Sequence, residues 1–309
     1  MLKVLIITSI NLNFKMDNLI NLVKENSIDY EKIHNECVYI IKDSDEEFDI
    51  NFLIPVRNRL DFAEPMYNSF INAKNKSNLK ITYTIVEHSI NPEHSKFCKK
   101  NNLNYIWIPC KNNDLFNKCL CFNVGVFLQK KSKSFIFHDI DCLVQSDFFI
   151  KLNENITNKQ CKAIQCFKDR RVLYLNDYLT LNIINKKINI DEININTAGV
   201  HLPLQFGAPG GSLMVDRNIF FEAGGYDPEI FAGNCPEDAF FWTKVNNITK
   251  IETSDNPEIE IFHMQHRPTY HDNPYYDSMG KINSDFQTSS LEEQKKYALF
   301  KFNLIQKYQ

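Results

Sequence analysis

Residues 134–141 read Ser-Phe-Ile-Phe-His-Asp-Ile-Asp, an apolar run that ends in two aspartates one residue apart. Alternate side chains of a strand share a face, so Asp139 and Asp141 are expected to point the same way. Two such carboxylates repel each other unless a divalent cation sits between them and an anionic ligand such as a diphosphate. Three further segments carry complementary chemistry. Arg57 and Arg59, in Pro55-Val56-Arg57-Asn58-Arg59, offer planar, charge-assisted hydrogen bonds to phosphate or carboxylate. Glu237 and Asp238 are adjacent carboxylates at an expected helix start, where one aimed into a cleft becomes a general base. His263 and His266 lie three apart, so on a helical turn they share a face and complete a nitrogen–oxygen metal shell. Each segment alone has a plainer explanation: a solvated strand end, a capped helix, a surface histidine. The four together point to a metal–nucleotide site.

These residues need a scaffold, and the chain supplies an alternating one. Ile50–Pro55, Lys80–Glu87, Tyr105–Pro109 and Ser134–His138 read as strands. Between them Leu60–Ala73, Pro92–Asn101 and Asn117–Gln129 read as helices. This order predicts an α/β fold with a mostly parallel central sheet flanked by helices. Ligands of such sheets sit at the carboxyl ends of the strands, where Arg57, Arg59, Asp139 and Asp141 fall. The second half is less regular. Cys161–Phe167 and Ser212–Val215 read as strands, Arg217–Ala223 as a helix stopped by Gly224-Gly225, Glu237–Val245 as a helix and Glu258–Phe262 as a strand. Asn176–Ala198, rich in Ile and Asn without a clean period, is expected to be a mobile or acceptor-facing loop. Before the alternating region, Lys3–Thr8 and Val38–Ile41 read as short strands, with a helix around Asp17–Glu25. The division expected is an N-terminal extension over 1–47, a catalytic domain over 48–290 and a terminal helix over 291–309.

Composition narrows the function. With 35 basic against 38 acidic residues the net charge is −3, and no basic stripe invites nucleic acid. The 43% hydrophobic content is that of a globular chain. The apolar start is too short to span a membrane, so a cytoplasmic protein is expected. Nine cysteines in core-like contexts, or as Cys119-Leu-Cys121, lack zinc spacing and are expected to be reduced thiols packed as small hydrophobes.

The ordered series 54–59 (Ile-Pro-Val-Arg-Asn-Arg), 116–125, 137–141 (Phe-His-Asp-Ile-Asp), 206–213 (Phe-Gly-Ala-Pro-Gly-Gly-Ser-Leu), 224–227 (Gly-Gly-Tyr-Asp), 236–238 (Pro-Glu-Asp) and 263–266 (His-Met-Gln-His) resembles the β-1,4-galactosyltransferase family and its N-acetylgalactosaminyltransferase relatives. The resemblance implies the GT-A nucleotide-sugar glycosyltransferase fold and an inverting transfer of a hexose, galactose or N-acetylgalactosamine, from a UDP-sugar to a glycan or lipid-linked acceptor hydroxyl. It further implies Mn²⁺, or Mg²⁺, as cofactor. Carried over residue by residue, Pro55, Val56, Arg57, Arg59, Phe116, Lys118, Asp139, Ile140, Gly210 and Gly211 fall at donor-binding positions. Lys118 stands where the family usually has arginine. Asp141, His263 and His266 fall on the metal ligands, Asp238 on the catalytic base and Glu237 beside it.

The family's Trp-Gly-Trp-Gly-Gly-Glu-Asp segment is here Phe231-Ala-Gly-Asn-Cys-Pro-Glu-Asp, without either tryptophan, and the donor-selecting stretch 205–207 also differs. Its membrane anchor is not found in this sequence, so a soluble relative is expected. Two other classes compete: another nucleotide-sugar enzyme such as a nucleotidyltransferase, and a sugar-nucleotide-binding protein without turnover. A Gly-rich phosphate loop, normal in the former, is missing from a chain with nine glycines. Simple binding does not need a base, which argues against the latter.

In the tail, Tyr297, Phe300, Leu304 and Tyr308 recur at helical spacing among lysines. Packing of that stripe on the catalytic domain is the plain expectation; peripheral docking of 291–309 on an anionic inner leaflet is the alternative.

Overall fold

The computed structural model describes residues 15–40, 46–129, 131–202, 210–267 and 273–309. The expected strand over 3–8, most of the acidic stretch 43–47 and the donor-selecting residues 205–207 lie outside the described residues.

In chain order the elements begin with helices α1 (Met16–Glu25) and α2 (Tyr30–Glu36), strand β1 (Val38–Ile40), β2 (Phe48–Val56), α3 (Leu60–Asn75), β3 (Ile81–Ser89), α4 (Ser95–Lys100) and β4 (Asn104–Pro109). There follow α5 (Lys118–Leu128), β5 (Ser132–His138), β6 (Cys142–Val144), α6 (Phe148–Lys159), β7 (Ala163–Gln165), β8 (Leu173–Leu175), α7 (Asp177–Ile184), β9 (Val200–His201) and β10 (Ser212–Asp216). The series closes with α8 (Arg217–Glu222), α9 (Glu237–Asn246), β11 (Glu252–Thr253), β12 (Ile261–His263), α10 (Tyr276–Thr288) and α11 (Leu291–Ile305).

The large sheet runs β1-β4-β3-β2-β5-β10-β7-β11. Strands β4, β3, β2 and β5 are mutually parallel, as the alternating pattern predicts. β1 pairs antiparallel at one side, and β10 runs antiparallel between β5 and β7, so the whole sheet is mixed. A small sheet, β6-β12-β8-β9, stands beside it. Both faces of the large sheet are covered, and strand alternation decides which residue enters which core. Leu53, Phe135, Phe137, Leu213 and Val215 pack with residues of α5, α8, α9, α10 and α11. Phe52, Ile54, Ile136 and Met214 pack with α3, α6 and α7.

Three expectations need correction. Asn176–Ala198 is not one aperiodic loop: Asn176 accepts a hydrogen bond from the Leu179 N–H (2.9 Å) and caps α7, whose Leu179 and Ile183 are buried. The helices α2 and α6 were not anticipated. Asp29 caps α2 by accepting from the Lys32 N–H, while α6 buries Phe148, Phe149 and Leu152 on one face. Finally, Lys301 is not one of the lysines ringing the terminal helix; its side chain is fully buried. The aromatic stripe of α11 is itself used in packing. Tyr297 is buried, Lys24 lies over the Phe300 ring, and Tyr308 stacks on Phe127. Among the described residues no helix is long and apolar enough to cross a membrane. All nine cysteines are unpaired, and six are buried.

Candidate active site

The turn after β5 places both aspartates. The Asp139 N–H donates to the Gly211 carbonyl (3.1 Å), and the Cys142 N–H donates back to the Asp139 carbonyl (3.1 Å). Because the strand ends at His138, strand alternation no longer applies, and the two carboxylates enter different clusters instead of sharing a face.

Asp141 joins the histidines. β12 lies between β6 and β8, which sets His263 opposite Cys142. The Met264 N–H then donates to the Asp141 carbonyl (2.8 Å), holding the following segment alongside. His266 Nε2 is 3.0 Å from Asp141 Oδ2, and His263 Nε2 is 3.6 Å from Oδ1. The expected helical turn is absent: His263 ends a strand, His266 follows outside any regular element, and their rings sit 4.9 Å apart. One donor atom from each of the three residues lies within 4.8 Å of the others. Burial opposes ionisation of Asp141, yet His263, His266 and Arg59 outweigh it and hold the carboxyl far below its usual range. Burial keeps His263 more readily neutral than a free imidazole, and its Nδ1 is buried without a hydrogen-bond partner. Two imidazole nitrogens with one carboxylate suit Mn²⁺ or a similar divalent cation, so the donor set fits a metal. Tyr174, paired with His263 across β8 and β12, packs its ring 4.8 Å from the imidazole and fixes the ring's tilt.

Arg59 also reaches Asp141, its guanidinium against the carboxylate. It arrives there through a tight turn in which Asn58 and Arg59 both have positive φ, 59° and 58°. Two non-glycine residues in that region are strained, a pattern common at functional sites. Arg57 behaves differently. Its Nε donates to the His88 carbonyl (2.7 Å) and Nη1 to the Asp114 carbonyl (2.6 Å), while Nη2 meets Cys110 Sγ at 2.9 Å. With its guanidinium engaged in these bonds and 5.8 Å above the Phe116 ring, Arg57 braces the 110–117 segment.

The second cluster centres on Lys118, the first residue of α5. Its Nζ lies 2.8 Å from Asp139, 2.9 Å from Asp238 and 3.3 Å from Glu237. Burial alone would depress the ammonium, but the three carboxylates reverse the effect and raise its pKa well above the ordinary value. Glu237 and Asp238 open α9. Burial, then the charge of Asp238, pushes the Glu237 carboxyl up to about 7 against the pull of Lys118. Burial raises Asp238 as well. Cys235 supports the pair, its thiol donating to Glu237 Oε2 (3.3 Å).

The remaining candidates divide by how they face the cleft. Pro55, Val56 and Ile140 are buried, leaving only their main chain to meet a ligand. Gly210 lies directly against the base candidate: a Cβ there would meet Asp238 Oδ2 at 2.4 Å. Gly211 (φ +94°) would place a Cβ 3.2 Å from Val172. A cavity of about 750 Å³ lies apart from both clusters. Its lining includes Leu115 and Asn117 but not Phe116, and none of Asp141, His263, His266, Glu237 or Asp238. Sequence reasoning missed Tyr174, Cys235 and the role of Lys118 as hub; only sheet register and helix packing bring them in.

No family model matches the sequence, and no curated protein matches it either. Solved structures do. The chain is similar to Staphylococcus aureus TarS 1–349 in complex with UDP-GlcNAc, at TM-score 0.52 and 11% identity over 81% of this chain and 70% of that one. TarS 1–349 without that ligand gives TM-score 0.51 at 13% identity, covering 82% and 70%. A Drosophila β1,4-galactosyltransferase 7 catalytic domain with xylobiose is also matched, at TM-score 0.41 and 14% identity over 79% of this chain and 82% of that one. At such identities the likeness is one of fold, and the fold is GT-A, an α/β sheet flanked by helices.

Proposed function

We propose that this chain is a metal-dependent, inverting glycosyltransferase that moves a hexose, galactose or N-acetylgalactosamine, from a UDP-sugar to a hydroxyl of a glycan or glycolipid. The observation that carries the reading is the meeting, at one end of a GT-A sheet, of a metal-competent triad and a buried carboxylate pair. Asp141, His263 and His266 form the triad; Glu237 and Asp238, bridged to Asp139 by Lys118, form the pair. The complex of the similar TarS fragment with UDP-GlcNAc supports a uridine-diphosphate donor.

A divalent cation held by Asp141, His263 and His266 would supply Lewis-acid stabilisation to a leaving diphosphate. Arg59, already at the rim of that triad, is placed to turn its guanidinium from Asp141 to phosphate oxygens, which it binds bidentately. Asp238 takes the proton of the attacking hydroxyl at its Oδ2. Its raised pKa strengthens it as a base relative to an ordinary aspartate. Glu237 and Asp139, on either side of Lys118, accept hydrogen bonds from sugar hydroxyls. Attack from the face opposite the diphosphate inverts the anomeric centre.

The test is a donor screen. UDP- and GDP-sugars are incubated with Mn²⁺, with Mg²⁺ and with chelator, and release of nucleoside diphosphate is followed. Hydrolysis of UDP-galactose or UDP-N-acetylgalactosamine that stops on chelation is the expected result. No UDP-sugar turned over at any metal concentration would sink the reading.

A further inference from the structure

The two helices that deliver the base cluster, α5 and α9, are joined below it by a second set of buried charges that the proposed reaction does not touch. Asp227, in the turn after Gly224 and Gly225, is almost fully buried. It receives Lys244 of α9 in an ion pair, and the Tyr297 hydroxyl of α11 donates to its Oδ1 (2.7 Å). Lys301 of α11 lies 3.6 Å from the same oxygen and 2.7 Å from Glu229. Lys244 also donates to the Gly225 carbonyl (2.5 Å), and the rings of Phe240, Phe241 and Tyr297 surround its ammonium. Asn123 of α5 clamps the same turn from the other side. It accepts from the Tyr226 N–H (2.9 Å) and donates to the Tyr226 carbonyl (3.1 Å) and the Tyr30 hydroxyl (2.7 Å).

The arithmetic along the helices is short. Lys244 follows Asp238 by about 9 Å at 1.5 Å per residue, and Asn123 follows Lys118 by about 8 Å. A helix turn is stiff over that span, so whatever fixes the 224–229 turn fixes where Lys118, Glu237 and Asp238 meet. Gly224 leaves no slack: a Cβ there would sit 2.3 Å from Lys301 Cβ.

We propose that Asp227, Glu229, Lys244, Lys301 and Tyr297 form a positioning network for the base, which makes the terminal helix α11 part of the catalytic apparatus although none of its residues reaches the cleft. The proposal rests on the glycosyltransferase reading. Charge balance explains why the device can be buried: two ammonium groups face two carboxylates, and the Tyr297 hydroxyl and Gly225 carbonyl satisfy further polar atoms.

The experiment uses full-length protein, UDP with Mn²⁺ as binding probe, and hydrolysis of the best donor from the screen as turnover probe, since water also needs Asp238. Tyr297→Phe removes one hydrogen bond. Lys301→Met with Glu229→Gln removes both contacts of the Lys301 ammonium, to Glu229 and to Asp227, while Lys244 stays paired with Asp227 and no charge is orphaned, so melting should stay near wild type. Displacement of a catalytic group by even part of an ångström is costly, so kcat should fall about tenfold or more in the double variant and about threefold in Tyr297→Phe. KM and UDP affinity should stay within about twofold, and Lys301→Arg should recover much of kcat. Turnover within about twofold of wild type in both variants overturns the proposal, as does a loss of kcat matched by equal losses in UDP affinity and melting temperature. If the double variant does not fold, Tyr297→Phe decides. Wild-type protein that neither binds UDP nor hydrolyses a donor defeats the glycosyltransferase reading instead. The network is then judged by amide exchange in Tyr297→Phe, which must quicken at 237–240 and not at 60–75.

Discussion

Two lysine–carboxylate clusters share helix α9, and they are built on opposite terms. At the cleft one ammonium, Lys118, faces three carboxylates, Asp139, Glu237 and Asp238. Below it two ammonium groups, Lys244 and Lys301, face two carboxylates, Asp227 and Glu229, with Tyr297 closing the set. The lower cluster is balanced, and its charged side chains are almost fully buried. The upper one carries surplus negative charge at a partly open position, and burial, with the charge of a neighbouring carboxylate, makes Glu237 and Asp238 hold their protons more tightly. A surplus of this kind destabilises the ligand-free protein and is useful only where a proton, a cation or a sugar hydroxyl arrives. The same residue types thus separate into a scaffold and a reactive group according to charge balance and access to solvent.

The sharpest way to break that comparison is to remove one carboxylate from each. Asp227→Asn leaves Lys244 and Lys301 short of a buried counter-charge, and losing one partner of a buried pair costs about 3–5 kcal/mol. Urea unfolding should show that loss; a variant within about 1 kcal/mol of wild type would mean that the lower cluster is not the scaffold described. Asp238→Asn should leave folding and UDP affinity nearly unchanged but cut turnover by about 100-fold or more, the lower end of general-base effects and about 2.7 kcal/mol of barrier. Activity within about threefold of wild type would move the base to Glu237 or another group.

A smaller effect comes from the neighbouring metal triad. Asp141→Ala and His266→Ala should fold normally yet need about tenfold or more Mn²⁺ for half-maximal turnover, in line with losses of metal affinity from altered sites. Met264→Leu, a volume-conserving change between the two histidines, should not shift that requirement. Normal turnover in Asp141→Ala at low Mn²⁺ would remove the triad from the reaction.

The smallest effect has the opposite sign. Glu237 titrates at about 7 in the fold against an ordinary 4.5, so the folded state holds its proton between those values and the unfolded state does not. Stability therefore falls as pH rises from about 4.5 through about 7. Glu237→Gln, which cannot ionise, should melt a few degrees higher than wild type at pH 8 and show little difference at pH 5. Equal melting temperatures at pH 8 would show that the upper cluster does not store the repulsion assigned to it.

Much of this architecture is legible in the chain. The short apolar runs ending at Val56, Ser89, Pro109 and His138 form strands of a sheet covered on both faces, which leaves them largely buried, and most of the intervening helices follow from their period. Residues that chemistry made conspicuous, Asp141, His263, His266, Glu237 and Asp238, do converge. Where local rules failed, a long-range contact replaced them. Asp139 and Asp141 diverge because both lie beyond the strand, which ends at His138, so its alternation does not reach them. His263 and His266 meet through the β6-β12-β8 register instead of a helical turn. The asparagines that made 176–198 look aperiodic include the cap that starts α7.

The sequence by itself determined the alternation of strands and helices, the parallel α/β sheet that alternation builds, and the kinds of side chain available at its carboxyl edge. Those are consequences of local period and residue chemistry. Only the tertiary structure decided that Lys118 faces three acids, that Arg57 is a brace while Arg59 meets Asp141, and that Lys301 is buried. Each of these depends on charges brought together from separate elements, or on the partners a guanidinium finds in a distant loop, and no spacing within one segment encodes such a meeting.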